Sequence, residues 1–312
     1  VYIKLKCLFF CLKYCTYYIV YSICLRMIFN LENISMATIV KRPSAICKTP
    51  YVADIAIESD DGVVLNTLGH TPALGCCGLS DKDCKVIVSK VVSKKQNKCT
   101  HRVDLAVLEE KGHIMIVGIN PKMAETIVEQ SLYNNHLQFL TNVQEAKREV
   151  RYLNSRFDFA GVDNNGQKFF MEVKNVPLAD YVDVPKKERK LYKDIDKTME
   201  YSDKIAYFPD GYRKNSTTVV SERALKHICE LEEVATTTEY RAILCFVIQR
   251  TDVSRFQPSN IDLTYKAAVQ KAWRNGVEIR AIQVSWSSEG ECIFVRDDLP
   301  VQLYETYGPY KL

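Results

Sequence analysis

Asn154-Ser155-Arg156-Phe157-Asp158-Phe159 and Phe169-Phe170-Met171-Glu172-Val173-Lys174 decide how this chain is read. Both stretches are rich in aromatics and alternate in polarity, as strands do. Between them Asp163-Asn164-Asn165-Gly166 is hairpin chemistry, because Asn, Asp and Gly tolerate positive φ. Pairing the two strands brings Asp158 close to Glu172. Glu172 and Lys174 are two apart on one strand and point to the same face of the sheet. Two carboxylates and one ammonium therefore converge.

Such a cluster suits phosphodiester hydrolysis. Asp158 and Glu172 are the candidate ligands for Mg²⁺ or Mn²⁺, hard cations that keep waters and seek phosphate oxygens. Lys174 is placed to position the attacking water or to steady the oxyanion. The same spacing also describes a plain hairpin carrying a surface salt bridge, so the motif alone leaves both readings open.

Working outward, 312 residues are enough for two modest domains with real cores. A hydrophobic fraction of 47% and a charged fraction of 26% are those of an ordinary globular protein. A net charge of +4 does not by itself announce a nucleic-acid partner. Residues 1–35 differ in kind: four cysteines, many Tyr, Phe and Ile, no Gly and no Pro. Their longest uncharged run, between Lys13 and Arg26, is twelve residues, too short to span a bilayer. No small-residue cleavage site marks them as a signal peptide. They are expected to be an apolar leader outside the fold, with Met36 as the natural start. The 12 cysteines include no Cys-x-x-Cys pair and no finger spacing. They read as reduced thiols of an intracellular protein, cytoplasmic or nuclear and not secreted.

Residues 36–118 read as a small β domain, with short strands spaced by turns such as Asp60-Asp61-Gly62 and Glu110-Lys111-Gly112. Between Asp81 and Arg102 stand seven basic residues against two acidic ones. Such a stripe fits phosphate tracking or a solvated loop equally well. Residues 119–312 read as an α/β domain. Pro121 opens a helix with Met123, Ile127, Val128 and Leu132 at helical spacing, and three strands follow. Ser221 caps a second helix, whose apolar side is read as Leu225, Ile228 and Cys229, with Arg223, Lys226, His227 and Glu230 on the other side. The uninterrupted apolar run of residues 242–248 marks a strand buried on both faces. A helix over residues 262–275 turns Ala268, Val269, Ala272 and Trp273 inward, and a last strand covers residues 277–286. Glu129 and Glu149 are candidates for a further acid but read better as solvated charges. Walker, Gly-x-Ser-x-Gly and internal-repeat signals do not occur.

Residues 144–159 and 171–176 resemble the signature of the sugar fermentation stimulation protein A (SfsA) family. His70-Thr71-Pro72-Ala73-Leu74-Gly75 is similar to its His-Cys-Pro-Asn-Thr-Gly loop, with Ala73 and Leu74 in place of the Asn and Thr. Val117-Gly118-Ile119-Asn120, Phe208-Pro209-Asp210, residues 222–227 and Arg255-Phe256-Gln257-Pro258 also match, although Leu225 replaces an Arg. The resemblance covers about residues 37–301. It implies an OB-like barrel over 36–118, then a PD-(D/E)XK nuclease-like mixed sheet flanked by helices over 119–312. Relative to typical members, residues 182–204 form a charged insertion, whose mixed signs suggest an exposed helix or mobile loop.

The function it implies is DNA binding, to duplex or single strands, with a candidate metal-dependent nuclease site at Asp158, Glu172 and Lys174. The basic set assigned to DNA is Lys90, Lys94, Lys95, Lys98, Arg156, Arg223, Lys226 and His227. The alternative is a DNA-binding regulator of sugar metabolism or transcription that keeps the nuclease fold without turnover. A weaker third reading is a regulator acting through protein contacts. No membrane partner is expected.

Overall fold

The computed structural model describes residues 26–304 except 60, 73–77, 93–96, 153, 186, 193 and 210–218. The described residues open with strand β1 (Met27–Asn30). It then builds a six-stranded sheet from β2 (Ile34–Lys41), β3 (Val52–Glu58), β4 (Val64–His70), β5 (Lys85–Lys90), β6 (His101–Glu110) and β7 (His113–Gly118). The order is β4-β3-β2-β5-β6-β7. A short parallel contact, Gly69 with His101 and His70 with Arg102, closes the sheet into an OB-like ring. Alternate residues fill it: Ile39, Ile55, Val86, Val88 and Val103 are buried together.

Helix α1 (Pro121–Tyr133) follows, its first turn capped by the Asn120 side chain and opened by Pro121. The seven-stranded sheet then assembles from β8 (Glu145–Tyr152), β9 (Ser155–Val162) and β10 (Lys168–Val176). Two short strands come next, β11 (Ala179–Asp180) and β12 (Lys204–Phe208). After them are α2 (Glu222–Thr237), β13 (Arg241–Ile248), β14 (Val253–Pro258), α3 (Leu263–Arg274), β15 (Glu278–Trp286) and β16 (Glu291–Arg296). The large sheet runs β1-β16-β15-β13-β10-β9-β8, while β11-β12-β14 form a separate small one. Helix, three antiparallel strands, helix and parallel strand is the PD-(D/E)XK-like order.

Two local sequences set this sheet. In the β9–β10 turn, Asp163 Oδ1 accepts the Asn165 and Gln167 amides at 2.9 and 3.0 Å, and Gly166 takes the positive φ (+79°). Strand β13 pairs in parallel with β10 on one side and β15 on the other, so both of its edges are hydrogen-bonded, and helices cover its two faces. Ile243, Cys245 and Val247 face α1, while Leu244, Phe246 and Ile248 face α2 and α3. Each such large side chain contributes about 1.5–3 kcal/mol by leaving water.

Four expectations are corrected here. Residues 27–35 belong to the fold: Met27 and Phe29 pair with Ile293 and Cys292 of β16, Ile28 is buried, and Ile34 starts β2. The partner strand lies some 260 residues away, so no local pattern announces the pairing. Residues 1–25 fall outside the described residues. Lys204, at the end of the charged run, is no solvated lysine but is buried against Asp252 and Glu110. Trp273 is 48% exposed and meets Tyr304 edge to face; Tyr265, Val269 and Ala272 carry the buried stripe. The inward face of α2 runs Ala224, His227, Ile228, Leu231 and Val234, not through Cys229, which is exposed.

The ring meets the large sheet at Gly118. A Cβ there would lie 1.8 Å from Gln249 Oε1 and 2.8 Å from Trp286 Nε1. Glycine lets the Gly118 amide reach the Gln249 carbonyl at 3.1 Å. Among the described residues the cysteines are free, and no helix is long and apolar enough to cross a membrane.

Candidate metal centre and basic cleft

Asp158 sits where the alternation of β9 breaks. Phe159 packs in the core under α1, and Phe157, only two residues earlier, packs in the core under α2. Regular ladder pairing with β10 stops at Phe159 opposite Met171. Beyond it the Asp158 carboxylate takes over a backbone role, its Oδ2 accepting the Val173 N–H at 2.7 Å. Burial pushes the Asp158 carboxyl up to about 7, and the charge of Glu172 adds to the shift. Glu125 on α1 acts in the same direction.

Glu172 lies on the α2 face of β10 and is 1% exposed. Its Oε1 receives Lys174 Nζ and pairs with His227 Nδ1 of α2. Burial opposes its ionisation, but Lys174 and His227 outweigh that and hold its carboxyl below the usual value. Glu172 Oε2 is buried and has no hydrogen-bond partner among the described residues. An unsatisfied carboxylate oxygen in the interior costs free energy, so its persistence calls for a ligand or a function. Two carboxylates with one bare oxygen offer the oxygen donors that Mg²⁺ or Mn²⁺ prefers, and such ions complete their shell with water. Among the described residues, no group of three or more His, Cys, Asp or Glu forms a ready-made metal cage.

An open cleft of about 500 Å³ lies beside this cluster, lined by Asn154, Ser155, Arg156, Glu222, Arg223, Lys226 and His227. His227 belongs to both, touching the cleft on one side and Glu172 on the other. Ser221 Oγ caps α2 at the cleft by accepting the Ala224 N–H at 3.2 Å. Lys226 Nζ donates to the Asn154 carbonyl at 2.7 Å, tying the α2 entrance to the β8–β9 turn.

A family model described as the sugar fermentation stimulation protein RE domain matches residues 122–290, more than half of the chain. The chain belongs to the sugar fermentation stimulation protein family. Curated relatives named as homologues of the sugar fermentation stimulation protein include one from Alcanivorax borkumensis, 30% identical over 81% of this chain and 92% of its own length. Another, from Nitrosococcus oceani, is 28% identical over 81% of this chain and 92% of its own. A solved structure of Pyrococcus furiosus SfsA in complex with Ca²⁺ superposes with a TM-score of 0.66 at 20% identity, covering 88% of this chain and 99% of that one. That likeness supports the fold.

The structure brings together Asp158, Glu172 and Lys174 of this family member, and separately gathers Arg156, Arg223 and Lys226 around the cleft. Arg156 is also paired with Glu149. Lys90 and Lys98 are exposed on the ring and do not line that cleft, while Lys94 and Lys95 lie outside the described residues. His227 is corrected from a surface contact to a buried partner of Glu172; its ring was counted with the polar face, although its position falls on the inward stripe of α2. Glu129 and Glu149 hold arginines, Arg148 and Arg156. Sequence reading passed over Glu125, one turn before Glu129; it binds Arg148 at 2.5 Å and adds to the field at Asp158. The i, i+4 acid pair on α1 opposite a basic β8 was the available signal.

Proposed function

We propose that this chain is a DNA-binding protein whose seven-stranded sheet carries a divalent-metal-dependent phosphodiesterase site. The bare, buried Oε2 of Glu172 next to Asp158 is the observation behind this reading. Asp158 and Glu172 would hold the cation. Bound there, Mg²⁺ or Mn²⁺ supplies Lewis-acid charge neutralisation and an acidified water. Lys174 keeps Glu172 ionised and presents an ammonium on the face where phosphate negative charge would gather. His227 fixes the Glu172 carboxylate from α2. Arg156, Arg223 and Lys226 give the adjoining cleft the sign that attracts a phosphate backbone. The relative from Pyrococcus furiosus was solved with Ca²⁺, a cation of the same hard, oxygen-seeking kind.

A binding protein without turnover is favoured by one observation: Glu172 Oε1 is already engaged by Lys174 and His227. The deciding experiment is a cleavage assay on single-stranded, duplex and branched DNA with Mg²⁺ and Mn²⁺, run beside Asp158→Ala. Metal-dependent cleavage lost in the variant, with metal-free DNA binding equal or tighter, supports the enzyme. Normal binding by the wild type with no cleavage under either metal gives the regulatory reading its place.

A further inference from the structure

On the ring, far in sequence from the carboxylates, a second cationic group is held with unusual care. Ser89, Arg102 and His70 form one rung across β5, β6 and β4. Beneath it Asp104 is fully buried, at 0% exposure. Its Oδ1 accepts Arg102 Nε at 2.6 Å and Asn120 Nδ2 at 2.8 Å, while its Oδ2 accepts Ser89 Oγ at 2.6 Å and Arg102 Nη2 at 3.0 Å. The two contacts to Arg102 are the parallel fork of a bidentate pair, which fixes the guanidinium plane. Asn120, the third donor, also caps α1 through the Lys122 amide at 3.1 Å. Strand β5, Arg102 and the start of α1 are thereby locked into one unit.

The Arg102 side chain nevertheless stays 42% exposed, and Asp104 leaves its Nη1 without a partner among the described residues. Lys122, in the first turn of α1, is exposed as well. His70 feels both cations: burial lowers its pKa first, then Lys122 and Arg102 lower it further. Two cations and an imidazole held toward its uncharged form thus converge, and the carboxylate among them is already engaged by four donors. Asp104 balances one of the two positive charges, so one net positive charge and the free edge of the Arg102 fork remain on a rigid mount, which suits anion recognition because little must be ordered on binding. The α1 N-terminus contributes its dipole at the same place.

We propose that Arg102, Lys122 and His70 form a phosphate-binding site for the DNA strand engaged at the Asp158–Glu172 centre. The placement on α1 carries the link between the two. Lys122 and Glu125 are neighbours one turn apart on a single helix face. Glu125 in turn lies within electrostatic reach of Asp158. A backbone leaving the carboxylates along α1 therefore meets Lys122 and then the Arg102 fork. This assignment rests on the DNA-binding reading above and extends it from the cleft onto the ring.

The test is fluorescence anisotropy with a fluorescein-labelled duplex and the matching single strand, in EDTA, over a salt series. Wild type is compared with Arg102→Gln, Arg102→Lys and Lys122→Gln. Arg102→Gln should weaken binding about tenfold and flatten the log–log salt slope by about one. Arg102→Lys should restore the slope but only part of the affinity, because the ammonium keeps the charge and loses the fork. Lys122→Gln, which leaves Asp104 untouched, should flatten the slope by a similar amount and guards against a folding defect in the Arg102 variants. Unchanged slopes in both Gln variants, with wild-type binding intact, would overturn this site and leave the reading of the carboxylate centre standing. A wild type that binds neither probe would bring down the DNA reading and this site together.

Discussion

Asp252 and Glu172 are both buried carboxylates flanked by cations, and they are finished differently. At the junction of the ring and the large sheet, Asp252 Oδ1 accepts Arg250 Nε at 2.6 Å, and Oδ2 accepts Arg250 Nη2 at 2.7 Å and Lys204 Nζ at 2.6 Å. Lys204 also reaches Glu110 of β6 at 2.7 Å and lies over the Tyr201 ring at 4.1 Å. Arg250 Nη1 completes itself on the Pro177 carbonyl at 3.0 Å. Burial opposes ionisation of Asp252, but Arg250 and Lys204 overcome it and the pKa is lowered. At the Glu172 cluster one oxygen is left bare, and the neighbouring Asp158 is pushed up to about 7. A network that only holds the fold can be saturated; one proposed to take a ligand is left short of partners.

The largest expected effect would come from breaking the finished cluster. Asp252→Ala strands two buried cations and should cost about 3–5 kcal/mol in urea unfolding. A loss below ~1 kcal/mol would remove the distinction between the two regions.

The unfinished cluster should behave in the opposite sense. Between pH 3.8, the ordinary value, and about 7, folded Asp158 holds a proton that the unfolded chain has released. Stability of the wild type therefore falls as pH rises through that window and levels off above it. Asp158→Asn lacks this penalty, so at pH 8 it should be more stable than wild type by an amount on the order of a few kcal/mol, the gap closing toward pH 4. Parallel pH–stability curves for the two proteins would show that Asp158 is not strained. Asp252 has the reverse sign: its stabilisation is present above 3.8 and is lost as pH falls through its lowered pKa.

Metal should sharpen the contrast further. Mg²⁺ at a hundred times its Kd should stabilise the wild type by about 2.7 kcal/mol in thermal melts against EDTA, and do nothing for Asp158→Asn. Equal stabilisation of both would place the ion elsewhere. The smallest effect belongs to the cleft rim: Arg156→Gln breaks an exposed pair with Glu149 and should change stability by about 0–1 kcal/mol. In the metal-free anisotropy assay it should still lower DNA affinity. No change there would take Arg156 out of the phosphate path.

The parts of this molecule that were legible in sequence are those with local causes. Asp163 and Gly166 announced their hairpin because the turn bonds run within four residues. Residues 242–248 announced a central strand because both faces had to be apolar. Glu172 and Lys174 share a face by the two-residue period alone. What escaped depended on distant partners. Strand β1 looked like part of an apolar leader because β16 lies at the far end of the chain. Lys204 looked solvated because Asp252 and Glu110 are contributed by other elements. His227 looked like a surface ring, since a polar residue on an inward stripe makes sense only once Glu172 is opposite it.

The pairing of β1 with β16 also changes the mechanics of the molecule. The ring leaves the large sheet after Asn30 and returns to it through Ile119, so it is an insertion fastened at both ends. A domain on one tether can swing freely; one on two tethers is restrained, like a shelf on two brackets. The offset between the ring's cations and Glu172 is then restrained by the covalent path and by the close approach at Gly118. A nucleic acid long enough to touch both must conform to that offset, and stiff and pliable sequences would pay differently for doing so. Sequence preference could thus arise in this protein without a single side chain reading a base.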